Sequence, residues 1–88
     1  MGDPPDTPDL ASSAEERLVV TAFSRALEQC LAALVPRARA AVLLRYQEGF
    51  SYPEMAAICH ERPATLQARV ARALPPLRRC LENRGFSL

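Results

Sequence analysis

The side chains best suited to chemistry in this 88-residue chain are arginines, and their spacing suits the grip of an anion rather than the breaking of a bond. Arg62, Arg69 and Arg72 fall in one short stretch with Thr65, Gln67 and Ala68 between them. A guanidinium is always charged and presents a planar fork of donors that matches phosphate oxygens or the O6/N7 edge of guanine. Wound at about 100° per residue, the run after Pro63 gathers Leu66, Val70, Ala73 and Leu77 on one side and Thr65, Ala68, Arg69 and Arg72 on the other. The first side is core; the second offers small residues flanked by positive charge. Gln67 falls toward the edge of the exposed side, and its amide fork suits adenine. Of these, Arg69 is the side chain expected to take a guanine or a phosphate. Catalysis has no comparable constellation. A single histidine, scattered carboxylates and no nucleophile–base spacing mean that no enzyme and no cofactor are expected.

The elements that must hold these residues carry their own punctuation. Pro36 suits a first helical position, and Ala40, Val42, Leu43 and Tyr46 continue a helix to Glu48. Gly49 closes it in the left-handed conformation. Ser51 with Glu54 is a capping-box pattern, and Pro53 is tolerable because it lies in the first turn. Met55, Ala56, Ile58 and Cys59 then make a helix of barely two turns, which needs packing to be stable. His60 to Pro63 is the turn: His tolerates positive φ, Pro63 disfavours helix at Arg62, and Pro63 opens the next helix. Two short helices meeting at a tight turn, the second bearing the arginines, have the layout of a helix-turn-helix reader. Ser51 and Tyr52, at the start of the first helix, offer a hydroxyl and amides to a phosphate. Pro75 and Pro76 each delete a backbone bond at a cost of about 3 kcal/mol or more, so the last helix is expected to kink or stop near Ala73, leaving Leu77 to Asn83 as a separate segment. The fold expected is a small all-α domain of four helices, or five if the prolines divide the last.

Composition sets the bounds. A chain of this length buries only about 60% of its unfolded surface, which leaves little room for a large substrate cavity. The net charge of +1 hides an asymmetry: Asp3, Asp6, Asp9, Glu15, Glu16 and Glu28 lie early, while Arg62, Arg69, Arg72, Arg78, Arg79 and Arg84 lie late. Residues 1–12, with Pro4, Pro5, Pro8 and three aspartates, read as a flexible acidic linker. Ser13 with Glu16 is a second capping box, opening a helix through Leu18, Phe23, Leu27, Leu31 and Leu34. The domain thus spans 13–84, with 85–88 as a tail. No run is apolar and long enough to cross a bilayer and the start does not resemble a signal peptide, so a cytoplasmic protein is expected. Cys30, Cys59 and Cys80 are distant and odd in number, and are expected to be reduced core or boundary residues. A metal site from Cys59 and His60 is disfavoured, since adjacent residues at a helix end diverge and no C-x-x-C exists.

From Leu34 to Leu81 the chain resembles region 4 of bacterial sigma factors, especially the small extracytoplasmic-function class. The resemblance rests on Val35, Pro36, Arg37 and Arg39 at the entry; on Arg45, Tyr46, Glu48 and Gly49; on Ser51, Tyr52, Glu54, Met55 and Ala56; and on Thr65, Leu66, Arg69, Val70, Arg72 and Ala73 in the reader helix. It implies that the helix from Pro63 lies in the major groove of the promoter minus-35 element, with contacts drawn from Arg62, Thr65, Gln67, Ala68, Arg69, Arg72, Ser51 and Tyr52. It also implies contact with the β flap of RNA polymerase, and an anti-sigma factor as a further partner. The chain departs from the pattern at His60 and Ala64, where the family has Gly, and at Gln67 and Ala68, where it commonly has Lys and Ser. Those losses, with the double proline, favour the alternative of a module that mainly docks protein. No segment of the chain resembles region 2, so it reads either as the C-terminal part of a longer sigma factor or as a stand-alone module.

Overall fold

The computed structural model describes residues 10–87, with side chains from Ala14 onward, and every element among them is helical. Helix α1 runs Leu10–Ala32, α2 Pro36–Val42, a single π-turn continues it over Leu43–Gln47, α3 is Tyr52–Cys59 and α4 is Pro63–Asn83. The four-helix expectation holds. The linker reading of residues 1–9 lies outside the described residues. Residues 10–12 already belong to α1, so Ser13 sits inside that helix rather than capping it.

The local signals after Leu34 are realised in detail. Pro36 and Pro63 open their helices from extended residues Val35 and Arg62. Gly49 takes φ +77°. The Ser51 capping box is complete: the Glu54 N–H donates to Ser51 Oγ at 3.2 Å and the Ser51 N–H donates to Glu54 Oε1 at 2.8 Å. His60 ends α3 in the left-handed region at φ 58°, ψ 41°, which reverses the chain into α4.

Two apolar clusters share α4. Met55 of α3, Ala41 of α2, and Leu66 and Val70 of α4 form the first, with Met55 and Leu66 wholly buried. Ala26 and Cys30 of α1, Val42 of α2, and Ala73, Leu77 and Leu81 of α4 form the second. Leu74 packs against both. Full burial of each large side chain contributes about 1.5–3 kcal/mol, which is how an eight-residue α3 is held. Phe86 packs edge-on against Phe23 with ring centroids 5.3 Å apart, so part of the tail closes over the second cluster.

Further expectations are corrected. First, α4 does not break at Pro75 and Pro76. Both prolines are exposed, so the carbonyls they fail to satisfy, on Ala71 and Arg72, face water, while Ala73, Leu77 and Leu81 anchor the helix on either side of them. Second, Cys30 and Cys80 are disulfide-bonded, with Cα atoms 5.7 Å apart, and only Cys59 is free among the described residues. Packing of α1 on α4 brings the pair into bonding range across 50 residues of sequence, a distance no spacing rule reports. Third, the apolar stripe of the second helix is displaced. Ala41 is buried, whereas Tyr46 is 61% exposed, because the π-turn closes with the Glu48 N–H on the Leu43 carbonyl and shifts the adjoining residues around the axis. Leu18, also expected on the buried stripe of α1, is 71% exposed, with Val19 and Val20 beside it.

Candidate nucleic-acid interface

The reader pair is built from α3, the His60 turn and α4. Leu66, Val70 and Ala73 turn inward as their spacing requires, and that fixes what the opposite side of α4 presents. Arg62, Thr65, Gln67 and Arg72 are exposed, and Ala68 is half-buried beside them. By helical winding Thr65, Ala68 and Arg72 lie on the side away from the core and Gln67 falls at its edge, and at the start of α4 the amides of the first turn add partial positive charge.

Arg69 differs. Its Nη1 and Nη2 donate to Glu61 Oε1 at 2.5 Å and Oε2 at 2.8 Å, a bidentate pair whose side chains are 18% and 27% exposed. The Arg69 hydrogen bonds hold the Glu61 carboxyl below the ordinary carboxylate range, with Coulombic help from Arg69 and Arg37. Glu61 in turn raises the Arg69 guanidinium further above its usual value. The side chain expected to meet DNA first is therefore already held by this chain's own carboxylate, while Arg72 has no such pair among the described residues.

At the start of α3, Ser51 and Tyr52 are half-buried and engaged. The Glu54 carboxyl is lowered chiefly by the Ser51 backbone N–H, so an ionised group of the chain itself occupies the positive end of that helix. Arg45 lies over the Tyr52 ring, 4.7 Å from its centroid, and donates from Nη1 to the Phe50 carbonyl at 3.0 Å. Arg45 thereby fixes the loop that enters α3.

Three residues that matter at this surface were not assigned a role from sequence. Glu61 sits in the turn eight positions before Arg69, and an acidic residue directly ahead of a basic helix was the available signal. Arg37 lines the same shallow depression of about 370 Å³ as Glu61 and Arg69. Arg45 gave no local signal, since its partners are set by the turn. No group of three or more His, Cys, Asp or Glu side chains able to hold a metal occurs among the described residues. No described helix is long and apolar enough to cross a membrane.

A short helix, a left-handed corner and a longer helix that buries one face and bares a basic one define a helix-turn-helix domain of the DNA-binding type. The chain belongs to the Sigma-70, region 4 family, whose model matches residues 24–75, and its role is accordingly that of a sigma-factor DNA-binding domain in transcription. No curated protein and no solved structure matches it.

Proposed function

We propose that this domain reads the minus-35 element of a promoter as part of an extracytoplasmic-function-type sigma factor, with α4 in the major groove. The observation that carries the reading is the exposed side of α4, where Thr65 and Arg72 are bared, with Arg62 at the helix start and Gln67 at the edge, while the other side is locked into the core. Arg72 and Gln67 take base edges, and Arg62 and the first-turn amides take phosphate. Arg69 joins when a phosphate or guanine replaces the Glu61 carboxylate. Ser51 and Tyr52 contribute only the O–H donors that their present contacts leave free. Fluorescence anisotropy with a labelled minus-35 duplex tests this: weak binding with a log–log salt slope of about −3 to −5 is expected for about four phosphates neutralised. A slope near zero, or no loss on Arg72→Ala, refutes it.

One observation favours a second reading, a module that mainly docks protein such as the β flap of RNA polymerase or an anti-sigma factor. An apolar groove of about 640 Å³ runs between α1, the π-turn and α4, lined by Phe23, Leu27, Leu43, Tyr46, Leu74 and Leu77 among others. Tyr46→Asp weakens polymerase binding but not duplex binding on this reading.

A further inference from the structure

The disulfide is not accounted for by promoter recognition. It ties Cys30 of α1 to Cys80 of α4, and Cys80 lies beyond the residues that match the family. Where transcription takes place, small thiols and thioredoxin-type proteins keep cysteines reduced, and disulfides formed there are transient and redox-sensing. The two sulfurs also differ in access. Cys30 is 1% exposed, whereas Cys80 is partly exposed at an open polar cleft that it shares with Pro76, Arg79, Asn83 and Arg84. A partly exposed sulfur in electropositive surroundings is the setting in which thiolates form and exchange.

We infer that Cys30–Cys80 is a reversible thiol–disulfide site, that Cys80 is its reactive sulfur, and that an anionic small thiol of the glutathione class is its exchange partner. In reduction, the incoming thiolate attacks Cys80 Sγ; the Cys30–Cys80 bond breaks, and Cys30 leaves as a thiolate that takes a proton. A second glutathione thiolate then attacks the glutathione sulfur of the mixed disulfide, releasing Cys80 and oxidised glutathione. In oxidation by hydrogen peroxide, Cys80 thiolate attacks one peroxide oxygen, the O–O bond breaks, and the hydroxide that leaves takes a proton, giving a sulfenic acid and one water. The Cys30 thiol displaces its oxygen as a second water, so two thiols and one peroxide become one disulfide and two waters. Arg79 and Arg84 attract the carboxylates of the incoming thiol and favour the Cys80 thiolate.

The position of the bond gives the exchange a consequence. It fastens the part of α4 beyond Pro75 and Pro76 to α1, and both helices wall the apolar groove. A bond closing a loop of about 50 residues shifts the folding equilibrium by up to about 1,000-fold. Reduction therefore loosens that wall at the one place where α4 lacks two backbone bonds.

The test uses the full chain carrying Cys59→Ser, oxidised with peroxide and mapped by mass spectrometry, then reduced under native conditions with glutathione or with the cationic thiol cysteamine, with free thiols trapped by alkylation. The Cys30–Cys80 peptide pair is expected, reduced by millimolar glutathione with the mixed disulfide on Cys80. Replacing both arginines (Arg79→Gln, Arg84→Gln) should slow glutathione about ten-fold at low salt, from roughly three-fold for each unit charge about 6 Å away in water, and should not slow cysteamine. The inference is overturned if the bond does not form, if glutathione opens it only after unfolding, if the mixed disulfide sits on Cys30, or if the arginine replacements leave the glutathione rate unchanged or slow both thiols equally.

Discussion

Replacing Glu61 with Gln should strengthen DNA binding and reveal Arg69 as a contact. In the free chain the Arg69 fork is filled by both Glu61 oxygens, at 2.5 and 2.8 Å, and the pair is only partly shielded from water. To reach a phosphate, Arg69 must exchange one anion for another, and the displaced carboxylate stays close to the duplex. Glu61→Gln keeps the shape and removes the charge. A unit charge about 5 Å from a phosphate in water changes binding roughly four-fold. One newly available guanidinium steepens the log–log salt slope by about 0.9. Anisotropy titrations over a range of salt concentrations should therefore show binding about four-fold tighter, with the gain shrinking as salt rises. Arg69→Ala should cost the parent chain three-fold at most, but about ten-fold or more in the Glu61→Gln background, the non-additivity expected of a coupled pair. An unchanged slope in Glu61→Gln, together with a full loss for Arg69→Ala in the parent, would refute the idea that the carboxylate competes with DNA.

Other perturbations test the frame around the site. Leu66→Ala leaves a hole against Met55 and Val70 and should cost about 2–5 kcal/mol in urea unfolding, enough to unfold much of a domain this small. Gly49→Ala meets no steric clash but keeps φ +77°, so a loss of about 1–2 kcal/mol from backbone strain alone is expected by the same method. Glu54 and Glu61 both have folded pKa values below the ordinary 4.5, so the stability they add is present above about pH 4.5 and lost as pH falls through their depressed values; the melting temperature should drop over that range, and less so in Glu61→Gln. Replacing both prolines of α4 by alanine should raise thermal stability, by up to about 3 kcal/mol for each, while far-ultraviolet circular dichroism stays nearly constant because those residues are already helical.

The features legible in the sequence were local. Pro36, Gly49, the Ser51–Glu54 box, His60 and Pro63 each act through a backbone bond or dihedral within a few residues, and every one behaves as its chemistry requires. The inward face of α4 was legible for the same reason, since helical winding alone decides it. One local signal misled, since Ser13 lies inside α1 rather than at its start, and the other misses are tertiary. The pairing of Cys30 with Cys80 depends on how α1 lies against α4, and the exposure of Tyr46 depends on one inserted π-turn. Arg69 was placed on the correct side of its helix, yet its partner stands across the turn, where periodicity within α4 says nothing.

The continuity of α4 through Pro75 and Pro76 comes from where the two apolar clusters meet. Leu66 and Val70 belong to the reader cluster, Ala73, Leu77 and Leu81 to the cluster shared with α1, and Leu74 touches both. The prolines come directly after that junction, and the family match ends at residue 75. Up to that point the helix is fixed by α2 and α3; beyond it, by Leu77, Leu81 and the bond to Cys30. A helix held from both ends tolerates two missing backbone bonds that would break one held from a single end, because bending there would pull apolar side chains out of one cluster or the other. The same reasoning locates the weakest point of the domain: with the disulfide reduced, the apolar contacts, the Phe23–Phe86 pair and the Arg84–Gln29 hydrogen bond are left to restrain the part of α4 beyond the prolines, and motion should begin there while the reader face stays in place.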